Sequence, residues 1–490
     1  MTPTRYKSLP ALGIELEGQR TAFYPGDAII GTVHRSAPIV CTEATIDIAF
    51  HGRTKSRMEM VNSPCDGTYR GRFTLLHQTQ SVFAGPMHIP GGSPKQKEWP
   101  FAIQIPQNID ARLFHRQYDA KKSFIPTDPA CVGNQPLPAS FYGRERVGES
   151  RRSRNDGRCQ TRQLNKRDAP FFYDGYGDKE GFIEYYIEAT LRYQRRGSWH
   201  EVTATMPIQI LAFNPNPPVV DFHMQRTSRL GLVCTQRLVP GMENAELSKI
   251  EKMKKLFGAR SVPAFFFRLN VDLPSVIQLG RDPIPVLMRF VPDWPNTSEI
   301  IRNVPQKATL VAFKVKLESW CGIRCDGRVR AHDTNWREKL YLQSEANAGR
   351  RVAVGIPCSD KTSPTDVGRA LNIRIGGYVG THSVFHDFTM FNVKLSHQFS
   401  WTAKVEIAGE ECTLHGTQPV KVLPQPSDRR PRGLAQSQSA TAHRAESWTA
   451  PPADMEPLPT FAEVERVDKE QSIAHAQTMR KGAVTSAKSG

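Results

Sequence analysis

The chain has 490 residues, 65 of them lysine or arginine against 48 acidic ones, for a net charge of +17. At roughly 150 residues per domain this length allows about three domains and at least one large core. No apolar run reaches the ~18 residues of a membrane span, and the stretch from Met1 to Ile14 lacks the apolar segment of a secretory leader, so an intracellular protein is expected. Nine cysteines, an odd number scattered along such a chain, do not read as a disulfide framework. Thirty-seven prolines and 35 glycines suit a turn-rich all-β protein, and the positive charge favours anionic partners.

Period-two alternation dominates the sequence. Ile46, Ile48 and Phe50 share one face, against Thr45, Asp47 and Ala49 on the other. Trp99, Phe101, Ile103 and Ile105 repeat the pattern. From residue 107 to 170 the chain reads as one long inserted loop, with a basic stretch at Arg144 to Arg167. Alternation resumes with Ile183, Tyr185, Ile187, Ala189 and Leu191, interleaved with Glu184, Glu188 and Thr190. The prolines of Asn214-Pro215-Asn216-Pro217-Pro218 cannot sustain a central strand and mark a boundary. Ile250 to Phe257 carries the best internal helical pattern. Two more strands follow, Thr309 to Leu317 and Phe399 to Ile407. Each such strand buries one face and leaves the other polar, which predicts antiparallel sheets in a sandwich or barrel.

One pattern occurs twice. A strand and turn lead into Pro207-Ile208-Gln209-Ile210-Leu211, and another pair leads into Pro419-Val420-Lys421-Val422-Leu423, 212 positions later. Two tandem sandwich-sized units are therefore expected, at 12–213 and 219–423. Beyond Leu423 a Ser/Pro/Ala/Gln-rich composition predicts a disordered tail, residues 424–490, in which Thr460-Phe461-Ala462-Glu463 is a capping box able to open a short helix.

Motifs for chemistry are scarce. There is no phosphate loop, Gly175, Gly177 and Gly181 have the wrong spacing for a dinucleotide fingerprint, and Gly91-Gly92-Ser93-Pro94-Lys95 fails as a nucleophile elbow. His200-Glu201 has Ala204 where a zincin needs its second histidine. Cys321 and Cys325, with Cys358 and His332 as conceivable further ligands, supply only one close pair where zinc sites bring two. A metal-dependent enzyme is the remote alternative they leave open. No reaction class or cofactor is implied. The strongest charged feature is the basic stretch, whose Arg151, Arg152, Arg154, Arg158, Arg162, Lys166 and Arg167 suit phosphate on lipid head groups or a phosphorylated tail. It lacks the interleaved aromatics of a nucleic-acid binder.

Several segments resemble arrestin-like proteins of the fungal α-arrestin type. Tyr24-Pro25-Gly26-Asp27-Ala28-Ile29-Ile30-Gly31-Thr32-Val33 resembles the family's early Y-x-P-G-D-x-I-x-G-x-V segment. Ile46 to Arg53, Trp99 to Pro106 and Ile183 to Ala189 resemble later strands in the same order, and Gln135 to Phe141 resembles a P-L-P-P-S-F segment of fungal members, with Ala139 in place of a proline. The resemblance spans roughly residues 12 to 423. It implies an all-β fold of two tandem immunoglobulin-like arrestin sandwiches, and a non-enzymatic adaptor. Such a protein binds cytosolic parts of plasma-membrane transporters or receptors, promotes their ubiquitin-dependent endocytosis, and is cytoplasmic with peripheral recruitment to plasma membrane or endosomes. Family members recruit a WW-domain HECT ubiquitin ligase through P-P-x-Y, but Pro217-Pro218-Val219-Val220 and Pro451-Pro452-Ala453-Asp454 lack the tyrosine. The nearest variant is Leu458-Pro459-Thr460-Phe461, leaving Leu458, Pro459 and Phe461 as a weak ligase-binding motif. The alternative is an arrestin-fold scaffold that meets no ligase. The paired lysines of phosphate-sensing arrestins are replaced by the acidic Ile14-Glu15-Leu16-Glu17.

Overall fold

The computed structural model describes residues 3–61, 67–91, 96–114, 120–145, 176–212, 214, 216, 218–245, 262–280, 283–327, 331–342, 353–356, 358–359, 361–375 and 384–426. The basic stretch from 146 onward, the Ile250–Phe257 pattern and the tail beyond 426 lie outside them.

Strand dominates the described residues. The first half contains β1 (Gly13–Leu16), β2 (Ala22–Phe23), β3 (Ala28–Arg35), β4 (Ile39–Met60), β5 (Gly67–Ile89), β6 (Lys97–Gln104), β7 (Phe141–Glu145), β8 (Tyr176–Arg195) and β9 (Ser198–Ile210). The second contains β10 (Met224–Cys234), β11 (Ala264–Pro274), β12 (Val276–Gln278), β13 (Leu287–Pro292), β14 (Ala308–Cys325), β15 (His332–Tyr341), β16 (Val354–Ile356), β17 (Thr365–Asp366), β18 (Phe388–Thr389), β19 (Val393–Ile407) and β20 (Glu410–Leu423). The alternation governs burial as expected. On β4, Ile46, Ile48 and Phe50 are buried, while Asp47, Ala49 and His51 are half-buried on the opposite face. Asp27 ends the turn before β3 from within: its carboxylate accepts the Tyr24 N–H at 3.0 Å and pairs with Arg20.

The two halves repeat one strand order. In the first a sheet runs β2-β9-β8-β4-β5, and in the second β12-β20-β19-β14-β15. Each begins with a short strand lying parallel to the end of the last one, Ala22 beside Gln209 and Val276 beside Lys421. The β8–β9 hairpin turns through Arg196 and Gly197 (φ 50° and 77°), and the β19–β20 hairpin through Ala408 and Gly409 (φ 50° and 73°). Two successive positive φ values make the tight hairpin turn whose twist matches the strands, and glycine adopts them without strain. The two turns are 212 positions apart, the same spacing as the strand endings. A smaller sheet completes each half, β1-β3-β6 and β10-β11-β13-β17.

The halves do not have wholly separate cores. Ile323 and Cys325 of β14, Trp336 of β15, and Phe391, Val393 and Leu395 pack with the first half's apolar cluster. Phe391 is fully buried, its ring centroid 5.0 Å from Phe73 and 4.4 Å from Phe114. Beside it Ser56 donates to the Arg324 carbonyl at 2.5 Å and accepts from Asn392 at 2.9 Å. A backbone bond from Asp326 to the Arg70 carbonyl closes the junction.

The expected inserted loop is corrected over its first part. Ile109, Phe114, Val132, Leu137 and Phe141 are buried, and the Asp110 N–H donates to the Leu75 carbonyl at 2.9 Å. Ile109, Phe114 and Leu137 follow no strand or helix period, which is why composition read the segment as loop. Packing holds it in place instead, Phe114 against Phe73 and Phe391, while Phe141 begins β7 and meets Phe385 and Phe388.

Candidate functional site

The outer face of β4, β5 and β8 gathers charge. Because side chains alternate along a strand, Arg53, Lys55 and Arg57 point the same way from β4. Register sets Lys55 opposite Arg72 and Arg57 opposite Arg70 on β5. On the other flank β8 sets Glu184 opposite Arg53, Phe182 opposite Lys55 and Glu180 opposite Arg57. Five cations thus form a ladder with acids along one side.

The acids neutralise only part of it. Glu184, 11% exposed, takes Arg53 Nε at 2.5 Å and Lys55 Nζ at 2.8 Å, and accepts the Thr4 N–H at 2.7 Å. Burial works to raise the Glu184 pKa, but the bonds from Lys55 and Thr4 and the charge of Arg53 hold it below the ordinary value. Burial pushes the Lys55 pKa down. Arg57 pairs with Glu59 and lies 3.8 Å from Glu180. Arg53 also stacks over the Tyr186 ring at 4.7 Å, and Lys55 lies over Phe182 at 5.2 Å. Arg70 and Arg72 are exposed and meet no carboxylate among the described residues. Like charges directly opposite each other cost stability, so these two cations are available to a ligand's anion. The chemistry on offer is recognition of carboxylate or phosphate by planar donors.

A histidine pair borders the ladder. His51 stacks on Tyr186 at 4.7 Å, and its Nδ1 lies 3.2 Å from that of His77. Burial first, then His77, Arg53 and Arg72, lower its pKa to about 4. His386, half-buried in the second half, is lowered to about 4 as well, mainly by burial. Both are neutral in the folded protein where the unfolded chain begins to protonate near 6.5. Stability is therefore full above that value and falls as pH drops from 6.5 towards 4. His51→Gln is expected to remove about half of the histidine-linked slope in that window, read as the denaturant midpoint against pH. An unchanged slope would show that His51 protonates freely in the fold.

None of the site residues singled out in the sequence belongs to this ladder. Arg151, Arg152, Arg154, Arg158, Arg162, Lys166 and Arg167, and the motif residues Leu458, Pro459 and Phe461, lie outside the described residues. The cysteines considered for a metal are not brought together: Cys321 and Cys325 pack in the first half's core, and Cys358 packs against the second's. Burial raises both junction thiols, Cys325 to about 12, so neither offers a ready thiolate. The ladder did leave a signal, cations at every second position at 53, 55 and 57 and again at 70 and 72. Density of charge pointed to the basic stretch and passed over this spacing.

No protein-family model matches the chain, and no curated protein matches it. Among the described residues, no helix is long and apolar enough to cross a membrane.

Proposed function

We propose that the chain is an arrestin-like, non-enzymatic adaptor built of two tandem sandwiches. It engages acidic cytosolic segments of membrane transporters or receptors and promotes their ubiquitin-dependent endocytosis. The observation that carries this reading is the recurrence of one strand order in both halves, with matching hairpins 212 residues apart. This recurrence supports the tandem arrangement that the sequence resemblance implies, and the Arg70–Arg72 ladder beside the junction supplies a surface for an anionic cargo segment. The basic stretch at 144–167 assists at the anionic leaflet, each Lys or Arg there adding about 1 kcal/mol.

One observation favours a variant of this reading in which no ligase is met. The Val219 N–H donates to Gln278 Oε1 at 3.0 Å, which ties this residue of a Pro-Pro segment to the second half. Proximity labelling in the native cell distinguishes the two, since transporters with a HECT ligase support the adaptor and transporters alone support the scaffold. The double variant Arg70→Glu/Arg72→Glu is expected to lose most transporter labelling, two reversed charges costing about tenfold or more in affinity. Enrichment of no membrane protein by the wild-type chain would refute both versions.

A further inference from the structure

β5 and β6 leave two sheet edges facing one another. They are consecutive in the chain, and Phe83 and Trp99 bring them together, ring centroids 5.7 Å apart. No ladder joins them: among the described residues β5 takes its place in the sheet beside β4, and β6 beside β3. The gap is a groove of about 480 Å³, walled by His77 to Gln80 on one side and Ala102 to Gln104 on the other. Arg112, bound to Asp110, stands at its end.

Two features set this groove apart from an ordinary exposed edge. Soluble proteins blunt open edges with charge or proline, yet His77 to Ala84 reads His-Gln-Thr-Gln-Ser-Val-Phe-Ala with neither. The second concerns its polar lining. Leu76 is buried on the inner face of β5, and alternation places Gln78 and Gln80 on that same face, where core residues would stand. Gln78 Oε1 is buried with no hydrogen-bond partner. A buried acceptor left unpaired costs free energy that an incoming donor recovers.

We propose that this groove binds an extended, uncharged polar segment of a partner protein, which adds as a strand between β5 and β6. Main-chain bonds to the two free edges supply affinity, and amide or hydroxyl side chains meeting Gln78 and Gln80 supply selectivity. The site meets the border of the Arg70–Arg72 ladder only at His77 and takes an uncharged segment where the ladder takes an acidic one, so it stands or falls independently of the adaptor reading.

The test selects displayed unstructured peptides of about a dozen residues on the full chain and follows hydrogen exchange in the resulting complexes. Selected peptides are expected to slow exchange at His77–Ala84 and Glu98–Gln104. Gln80→Lys places an inward charge in the groove and is expected to weaken binding about tenfold, whereas Thr68→Lys, exposed at the far end of β5 and outside the groove, leaves it unchanged. Methylating alternate backbone nitrogens of the peptide should abolish binding with no change to the protein. The proposal is overturned if no peptide is selected, or if binding survives both Gln80→Lys and peptide methylation. Protection confined to the Arg70–Arg72 region by acidic peptides, or self-pairing of the chain through β5, would overturn it equally.

Discussion

Phe391→Ala is expected to destabilise the protein by about 3–5 kcal/mol, the cost of emptying a fully buried phenylalanine site. The effect should cross from one half to the other. Phe391 belongs to the second half in sequence, but its ring stacks on Phe73 and lies against Phe114 in the first half's core. Removing it leaves a cavity beneath β5, and the neighbouring Ser56–Arg324 and Asn392–Ser56 bonds lose the packing that keeps water from them. Denaturant unfolding gives the magnitude, and hydrogen exchange gives the reach, with protection falling in β4 and β5 as well as in β14. A loss below about 1 kcal/mol, or one confined to the second half, would mean the junction closes around the gap.

Glu184→Gln should cost about 3 kcal/mol, because Arg53 and Lys55 would then lie largely buried with no carboxylate to answer them. The pH dependence identifies the cause. Glu184 titrates below its ordinary value of 4.5, so its contribution is complete above 4.5 and disappears as pH falls through the lower folded value. Wild type and variant should therefore converge in stability in strong acid and separate above it. The same substitution frees two cations, so binding of an acidic peptide should tighten even as the fold weakens. A variant as stable as wild type at neutral pH would show that the acid contributes no net stabilisation.

Much of the all-β character is legible from single residues. Alternation at Ile46–Phe50, at Ile183–Leu191 and at Phe399–Ile407 reports the pleat, because successive side chains on a strand must point to opposite faces. The hairpins are equally local: a two-residue turn such as Arg196-Gly197 needs two positive φ values, and it fixes which residues of β8 and β9 face one another. Their recurrence 212 positions later is therefore visible in the chain itself.

The candidate sites were not local in this sense. Arg53, Lys55 and Arg57 announce a strand face, but nothing near them in sequence says that Arg70 and Arg72 lie opposite or that Glu184 flanks them. Irregularities in the β4–β5 pairing, at Gly52/Arg53 among others, help set that register. The groove between β5 and β6 exists because consecutive strands joined different sheets, a choice made by their partners β4 and β3. Phe391 entered the first half's core together with Ile323, Cys325 and Trp336 of β14 and β15. Sequence by itself determined the strand period, the turns and the repeat, since each depends on backbone geometry over a few residues. Only tertiary structure decided which charges meet, which edges stay open and where the halves share a core, since those depend on burying apolar surface between segments hundreds of residues apart.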